Sequence, residues 1–144
     1  IADYTKKLET RRKKKTELLK EYIEESDEPL ISGILWFSEL VQIAGGVDVF
    51  SDKSKNKDAK SRILNSEEVI KANPDVIIAS WCGKKVRKEK IAARSNWKSI
   101  NAVKNDLIFE IKSPLILQPG PAALGPGLDQ ICCILDNARD KLRG

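Results

Sequence analysis

Apolar and polar positions along this chain alternate between helical and extended patterns, most clearly over residues 65–84. Ser66 is the expected N-cap of a short helix, with Glu67 and Glu68 in the first turn, where carboxylates favour the positive helix end. Asn73-Pro74 stops that helix. Val76–Ala79 is then an uninterrupted apolar run, as expected of a strand covered on both faces in a parallel sheet. It ends in the polar turn Ser80-Trp81-Cys82-Gly83, on the carboxyl edge where open α/β sheets place their ligands.

The remaining segments extend the same alternation. Ile1, Tyr4 and Leu8 at helical spacing predict an amphipathic helix at the start of the chain. Residues 20–26 read as the first strand, closed by the turn chemistry of Asp27-Glu28-Pro29. After the Ser32-Gly33 loop, Trp36, Leu40, Val41, Ile43 and Ala44 form the apolar face of a helix ended by Gly45-Gly46. Val47–Phe50 reads as a short strand, and the Lys/Asp/Asn-rich segment 51–61 as an exposed loop.

Beyond Gly83, a basic helix over 84–93 has Val86 and Ile91 as anchors and reads as peripheral. Residues 96–103 form a compact turn whose large side chains plug the edge of the core. Leu107–Ile111 is a strand, and Lys112–Leu117 crosses the same carboxyl edge as Trp81. Pro119-Gly120-Pro121 sets the start of a last helix with Leu128, Ile131, Cys132 and Leu135 as its buried stripe. Strands alternating with helices predict a three-layer, Rossmann-like α/β domain with a mostly parallel sheet.

Composition narrows the picture. At 144 residues the chain suits one domain with a real core, and no apolar run approaches the length of about 20 residues that spans a bilayer. There is no histidine, and the three cysteines, Cys82, Cys132 and Cys133, include no Cys-x-x-Cys, so a metal site is not expected. They read as reduced thiols. The chain opens at Ile1, contains no methionine and shows no apolar leader, from which we expect a fragment or processed form. The net charge of +5 is concentrated in Lys6, Lys7, Arg11–Lys15 and Lys20. That run reads as a solvated helix face; no aromatic residue is interleaved with it to stack on bases, and nucleic-acid binding is not expected.

Catalytic signatures are missing: there is no phosphate-binding glycine loop and no Gly-x-Ser-x-Gly elbow. Cys82, beside Lys84, Lys85 and Arg87, has the surroundings of a lowered thiol pKa, but no base accompanies it and a packed thiol is the alternative. The chain does not read as an enzyme. What collects on the carboxyl edge is Glu25, Ser26, Trp36, Arg62, Ser80–Gly83 and Ser113–Ile116, a mixture suited to a small-molecule pocket. Core packing of the two tryptophans and a local ion pair of Arg62 are the competing readings.

At these residues the sequence resembles the substrate-binding proteins of ABC importers for vitamin B12 and iron–siderophores, whose two lobes are joined by one long helix. Tyr22–Trp36 and Ser38–Gly46 look like the opening of the carboxyl-terminal lobe. Ser66-Glu-Glu-Val69, Asn73-Pro-Asp-Val-Ile-Ile78, Ala93-Arg94 through Trp97, Ala102-Val103 and Gln118-Pro-Gly-Pro121 follow in the family's order. Ser80-Trp-Cys-Gly-Lys84 is most like the cobalamin-binding subgroup, whereas Ser26 stands where that subgroup often has tryptophan.

The resemblance implies that residues 1–16 are the truncated interlobe helix and 17–144 the carboxyl-terminal lobe, with no counterpart of the amino-terminal lobe. It implies that Glu25, Trp36, Arg62, Trp81, Cys82, Pro114 and Leu115 line half of a cleft for cobalamin or another metal chelate, such as iron–siderophore or haem. The chelate would be transported cargo, with no catalytic cofactor. Glu67 matches a surface glutamate that docks onto permease arginines in the B12-importer relatives; compensation of the helix dipole is its other reading. Partners implied are an ABC permease, the small-molecule ligand, and the missing lobe or a second copy. An extracytoplasmic location follows from the resemblance, while reduced cysteines and the lack of a leader fit a cytoplasmic one. The competing function is a stand-alone cytoplasmic α/β domain acting through dimerisation or a reactive thiol.

Overall fold

The computed structural model describes residues 19–27, 30–33, 35–56, 59–81, 85–112, 125 and 127–143. The expected interlobe helix over 1–16, Cys82, Pro114, Leu115 and Pro119-Gly120-Pro121 lie outside the described residues, and Trp36 is described in its backbone alone.

The centre of the sheet is β1 (Leu19–Asp27), whose core residues Tyr22, Ile23 and Glu24 are fully buried. The chain returns as β2 (Leu30–Ser32), antiparallel to the carboxyl half of β1 with Asp27 opposite Leu30. Helix α1 (Leu35–Ile43) leads to β3 (Gly46–Asp48), which pairs parallel with Leu19–Glu21. One edge of β1 is thus shared between two partners, and a bulge between Glu24 and Ser26 bends the strand beyond the point where they divide it. Next come the short helix α2 (Ser51–Ser54), a 3-10 turn (Ala59–Arg62), and β4 (Ile63–Leu64), antiparallel to β2. Helix α3 (Ser66–Ala72) feeds β5 (Val76–Ala79), which lies parallel to β1. Helix α4 (Lys88–Ala92), a 3-10 turn (Trp97–Ser99) and α5 (Asn101–Lys104) precede β6 (Ile108–Glu110), parallel to β5, and α6 (Leu128–Arg143) follows. The strand order is β4-β2-β1-β5-β6, with β3 beside β1.

The sheet separates two apolar layers. Leu19, Ile23, Val76 and Ile78 meet Phe37, Leu40 and Val41 of α1 and Leu128, Ile131, Cys132 and Leu135 of α6. Tyr22, Ile77 and Ala79 meet Val69, Ile91, Trp97, Ile100 and Ala102 on the other face. Alternate residues of β5 therefore enter different layers, which is why Val76–Ala79 carries no polar position. Fully burying each such aliphatic side chain contributes roughly 1.5–3 kcal/mol.

Several expectations are corrected. The two antiparallel strands β2 and β4 are too short to show a period in the sequence. Segment 51–61 is not simply an exposed loop: α2 and the 3-10 turn bury Ser54 and Arg62. The strand expected over Val47–Phe50 is Gly46–Asp48, since Asp48 Oδ1 accepts the Phe50 N–H and turns the chain. The N-cap of α3 is Asn65 and not Ser66. Asn65 Oδ1 accepts the Glu68 N–H at 2.9 Å while Glu68 Oε1 accepts the Asn65 N–H at 3.3 Å, a reciprocal box that Ser66 would have to break. Trp97 does not plug an edge but sits fully buried, its ring 6.2 Å from that of Tyr22.

Candidate functional site

Because β1, β5 and β6 run the same way, Ser26, Asp27, Ser80, Trp81 and Glu110 come out on one edge of the sheet. The residue around which that edge is built is Glu24. It is fully buried and accepts four hydrogen bonds: from Tyr22 Oη at 2.9 Å, Trp81 Nε1 at 2.8 Å, and both terminal nitrogens of Arg94 at 2.6 and 3.0 Å. The guanidinium of Arg94 also lies 4.5 Å from the centre of the Trp97 ring. A carboxylate can be kept in such a place only when a bidentate cation and further donors replace its water. Burial, and after it the same carboxylate, pushes the Tyr22 hydroxyl well above its ordinary pKa. Tyr22 is therefore a permanent donor here.

Of the site residues expected from the sequence, Glu25 and Arg62 come together, and Trp81 does not join them. Alternation along β1 sends Glu25 away from Glu24, and Glu25 Oε1 meets Arg62 Nη1 at 3.1 Å. Arg62 is buried; its Nη1 also donates to the Ser32 carbonyl at 2.8 Å, and its Nε finds no partner among the described residues. Trp81 is only 4% exposed, with its N–H spent on Glu24. Cys82, Pro114 and Leu115 lie outside the described residues.

Beside Trp81 is a cleft of about 360 Å³ lined by Asp27, Trp81, Lys85, Arg87 and Lys90. Lys90 Nζ lies 3.4 Å from Asp27 Oδ2. One wall is held by Glu110, whose Oε2 accepts the Val86 N–H at 2.9 Å and so anchors the segment that follows Trp81. Among the described residues no group of three or more His, Cys, Asp or Glu side chains could hold a metal ion, and no helix is long and apolar enough to cross a membrane.

Glu67 is exposed in the first turn of α3. The other end of α3 is tied to the amino edge of the sheet: Asn101 N donates to Asn73 Oδ1 and Lys20 N to Asp75 Oδ2. Seven residues rise about 10 Å along a helix, so Glu67 is carried to the carboxyl edge. The helix and strand of residues 65–84 thus bring Glu67 and Trp81 to the same side of the lobe.

Glu24 and Arg94 were not expected as site residues from the sequence. Their partners are scattered over positions 22, 81, 94 and 97, and only the pairing of β1 with β5 brings them together. A weak signal exists in the polar residue Glu24 two places after Tyr22 on the same strand face.

Comparisons with known proteins agree on one fold. The profile of the periplasmic binding protein family matches residues 1–115. Among solved structures, the periplasmic vitamin B12 binding protein BtuF of Vibrio cholerae is 23% identical with a TM-score of 0.71, over 96% of this chain and 51% of its own. A periplasmic binding protein from Veillonella parvula gives 24% and 0.74, over 92% and 48%. S. aureus IsdE, solved with heme, gives 20% and 0.70, over 92% and 53%. The chain spans about half the length of each. Among curated protein sequences none matches it.

Proposed function

The chain belongs to the periplasmic binding protein family, and from that premise we propose that it is the carboxyl-terminal lobe of a substrate-binding component of an ABC importer. In this reading residues 1–16 belong to the interlobe helix and 17–144 to the lobe. The cargo is cobalamin or a related metal chelate such as haem or an iron–siderophore, and the protein works outside the cytoplasm with a permease. It binds and releases without covalent chemistry.

The observation that carries the proposal is the match of nearly the whole chain to about half of proteins whose names record binding of vitamin B12 or heme. The carboxyl edge is the proposed half-cleft, with Glu25, Trp36, Arg62, Trp81, Cys82, Pro114 and Leu115 along it. The Glu24 clamp supports this assignment, since it fixes Trp81 in one orientation before any ligand arrives. Glu67, exposed on the same side, is the proposed contact with permease arginines.

Calorimetric titration of cyanocobalamin, haemin and a ferric hydroxamate tests the proposal, using this chain alone and joined to an amino-terminal lobe of its family. Binding by the two-lobed form, and much weaker binding by the single lobe, is the expected result, because half of the buried contact is missing from the latter. Failure of the two-lobed form with all three chelates would refute it.

A further inference from the structure

The polar groups around the Trp81 cleft are not neutral in sum. Three of its five lining residues are cations, Lys85, Arg87 and Lys90, against the single acid Asp27. Asp27 is itself buried and lies 3.4 Å from Lys90. Of the other described acids toward this edge, Glu24 holds Trp81, Arg94 and Tyr22, Glu25 pairs with Arg62 and Glu110 holds the Val86 N–H, while Glu67 and Glu89 are exposed and do not line the cleft. The tryptophan lines the cleft with the small apolar part of its ring left exposed and offers no donor, since its N–H points inward to Glu24.

A molecule entering this cleft therefore meets an apolar floor and a positive rim. Lys85 and Arg87 are exposed and precede α4, so their heads can follow a ligand without disturbing the core. We infer that the ligand of this lobe carries at least one carboxylate or phosphate, placed against Lys85, Arg87 and Lys90 while its apolar body covers Trp81. This rests on reading the carboxyl edge as a ligand cleft, and it separates anionic chelates from uncharged ones of the same size.

The test pairs haemin with its dimethyl ester, two molecules of one macrocycle that differ in their two carboxylates, titrated by Soret absorbance at low ionic strength. The protein is compared with the Lys85→Glu/Arg87→Glu variant, both changes being on exposed residues that leave the Glu24 clamp intact. Two partly exposed ion pairs predict a preference for haemin of several-fold to about tenfold, shrinking with added salt. The double variant should erase or reverse that preference, weakening haemin by a larger factor than the ester. Equal binding of the two forms, or a preference that survives charge reversal, overturns the anion assignment and leaves the cleft standing. Both titrations use the lobe joined to an amino-terminal lobe of its family; absence of saturable binding by either form overturns the anion assignment, and the reading of the edge as a ligand cleft falls with it only if cyanocobalamin and the ferric hydroxamate also fail to bind.

Discussion

Replacing Glu24 by leucine removes one side chain and strands three others. Arg94 keeps a guanidinium that is only 16% exposed, and the Tyr22 hydroxyl and Trp81 N–H lose their acceptor inside the core. Breaking a buried ion pair from one side costs about 3–5 kcal/mol, and each neutral donor left unpaired about 1–3 kcal/mol more, less whatever water can enter. We therefore expect Glu24→Leu to destabilise the lobe by about 5 kcal/mol or more. Glu24→Gln preserves an acceptor for Trp81 and Tyr22 but not the charge, and should cost about half as much. At about 2–4 °C per kcal/mol for a chain of this size, the leucine variant falls at least 10 °C in Tm. Urea unfolding followed by circular dichroism measures both variants, and Arg94→Leu alone and combined with Glu24→Leu completes a double-mutant cycle. The combined loss should be much smaller than the sum, because the pair is lost only once. A Glu24→Leu cost below about 1 kcal/mol, or strict additivity with Arg94→Leu, would refute the clamp.

Other outcomes follow from the same packing. Glu21 is fully buried, and burial raises its carboxyl well above the ordinary range, with Asp75 and Asp48 adding to the shift and the Val47 N–H and Arg139 charge opposing it. A raised carboxyl pKa favours the protonated folded state, so its penalty is absent below the unfolded value near 4.5 and grows as pH rises toward the folded value. Glu21→Gln should accordingly gain stability over the wild type as pH rises from 4 through neutrality, measured by urea midpoints across pH; a gap that narrows with pH would contradict this. Asn65→Ala should cost about 0.5–2 kcal/mol and Ser66→Ala almost nothing, the reverse of the expectation from sequence, as thermal melts would show. Gly46→Ala places a Cβ against the Glu21 carboxylate, where there is no room for it, and should cost about 1–3 kcal/mol in the same melts.

How much of this was readable in the sequence depends on how local the signal is. Val76–Ala79 is legible because burial on both faces makes every residue of the run apolar, and the α6 stripe of Leu128, Ile131, Cys132 and Leu135 because burial on one face imposes a helical period. The parallel sheet followed from the alternation of such segments. The short strands β2 and β4 carry three and two residues, too few for any period, and exist because β1 offers an edge to β2 and β2 in turn offers one to β4. The cap of α3 was misplaced by one residue because Asn65 and Ser66 are both good caps, and only the Glu68 side chain decides between them. In the site, the position of Trp81 at the carboxyl edge of the sheet is legible from strand direction. The role of Glu24 is not, since two adjacent glutamates differ only in which face of β1 they occupy, and their partners lie up to 70 residues away. Buried acids such as Glu21 and Asp48 were hidden for the same reason: residue type argues for exposure, and tertiary packing overrides it.

The central claim is that the carboxyl edge of this lobe faces the transported chelate. Nitrogen-15 resonances of the two-lobed protein, followed while the chelate identified by calorimetry is added, test it most directly. The Trp81 indole and the amides of Lys85–Lys90 should shift and saturate at the calorimetric stoichiometry, while the amides of Asn73, Asp75 and Asn101 at the amino edge stay in place. Saturating shifts confined to the amino edge, with Trp81 and Lys85–Lys90 unmoved, would contradict the claim.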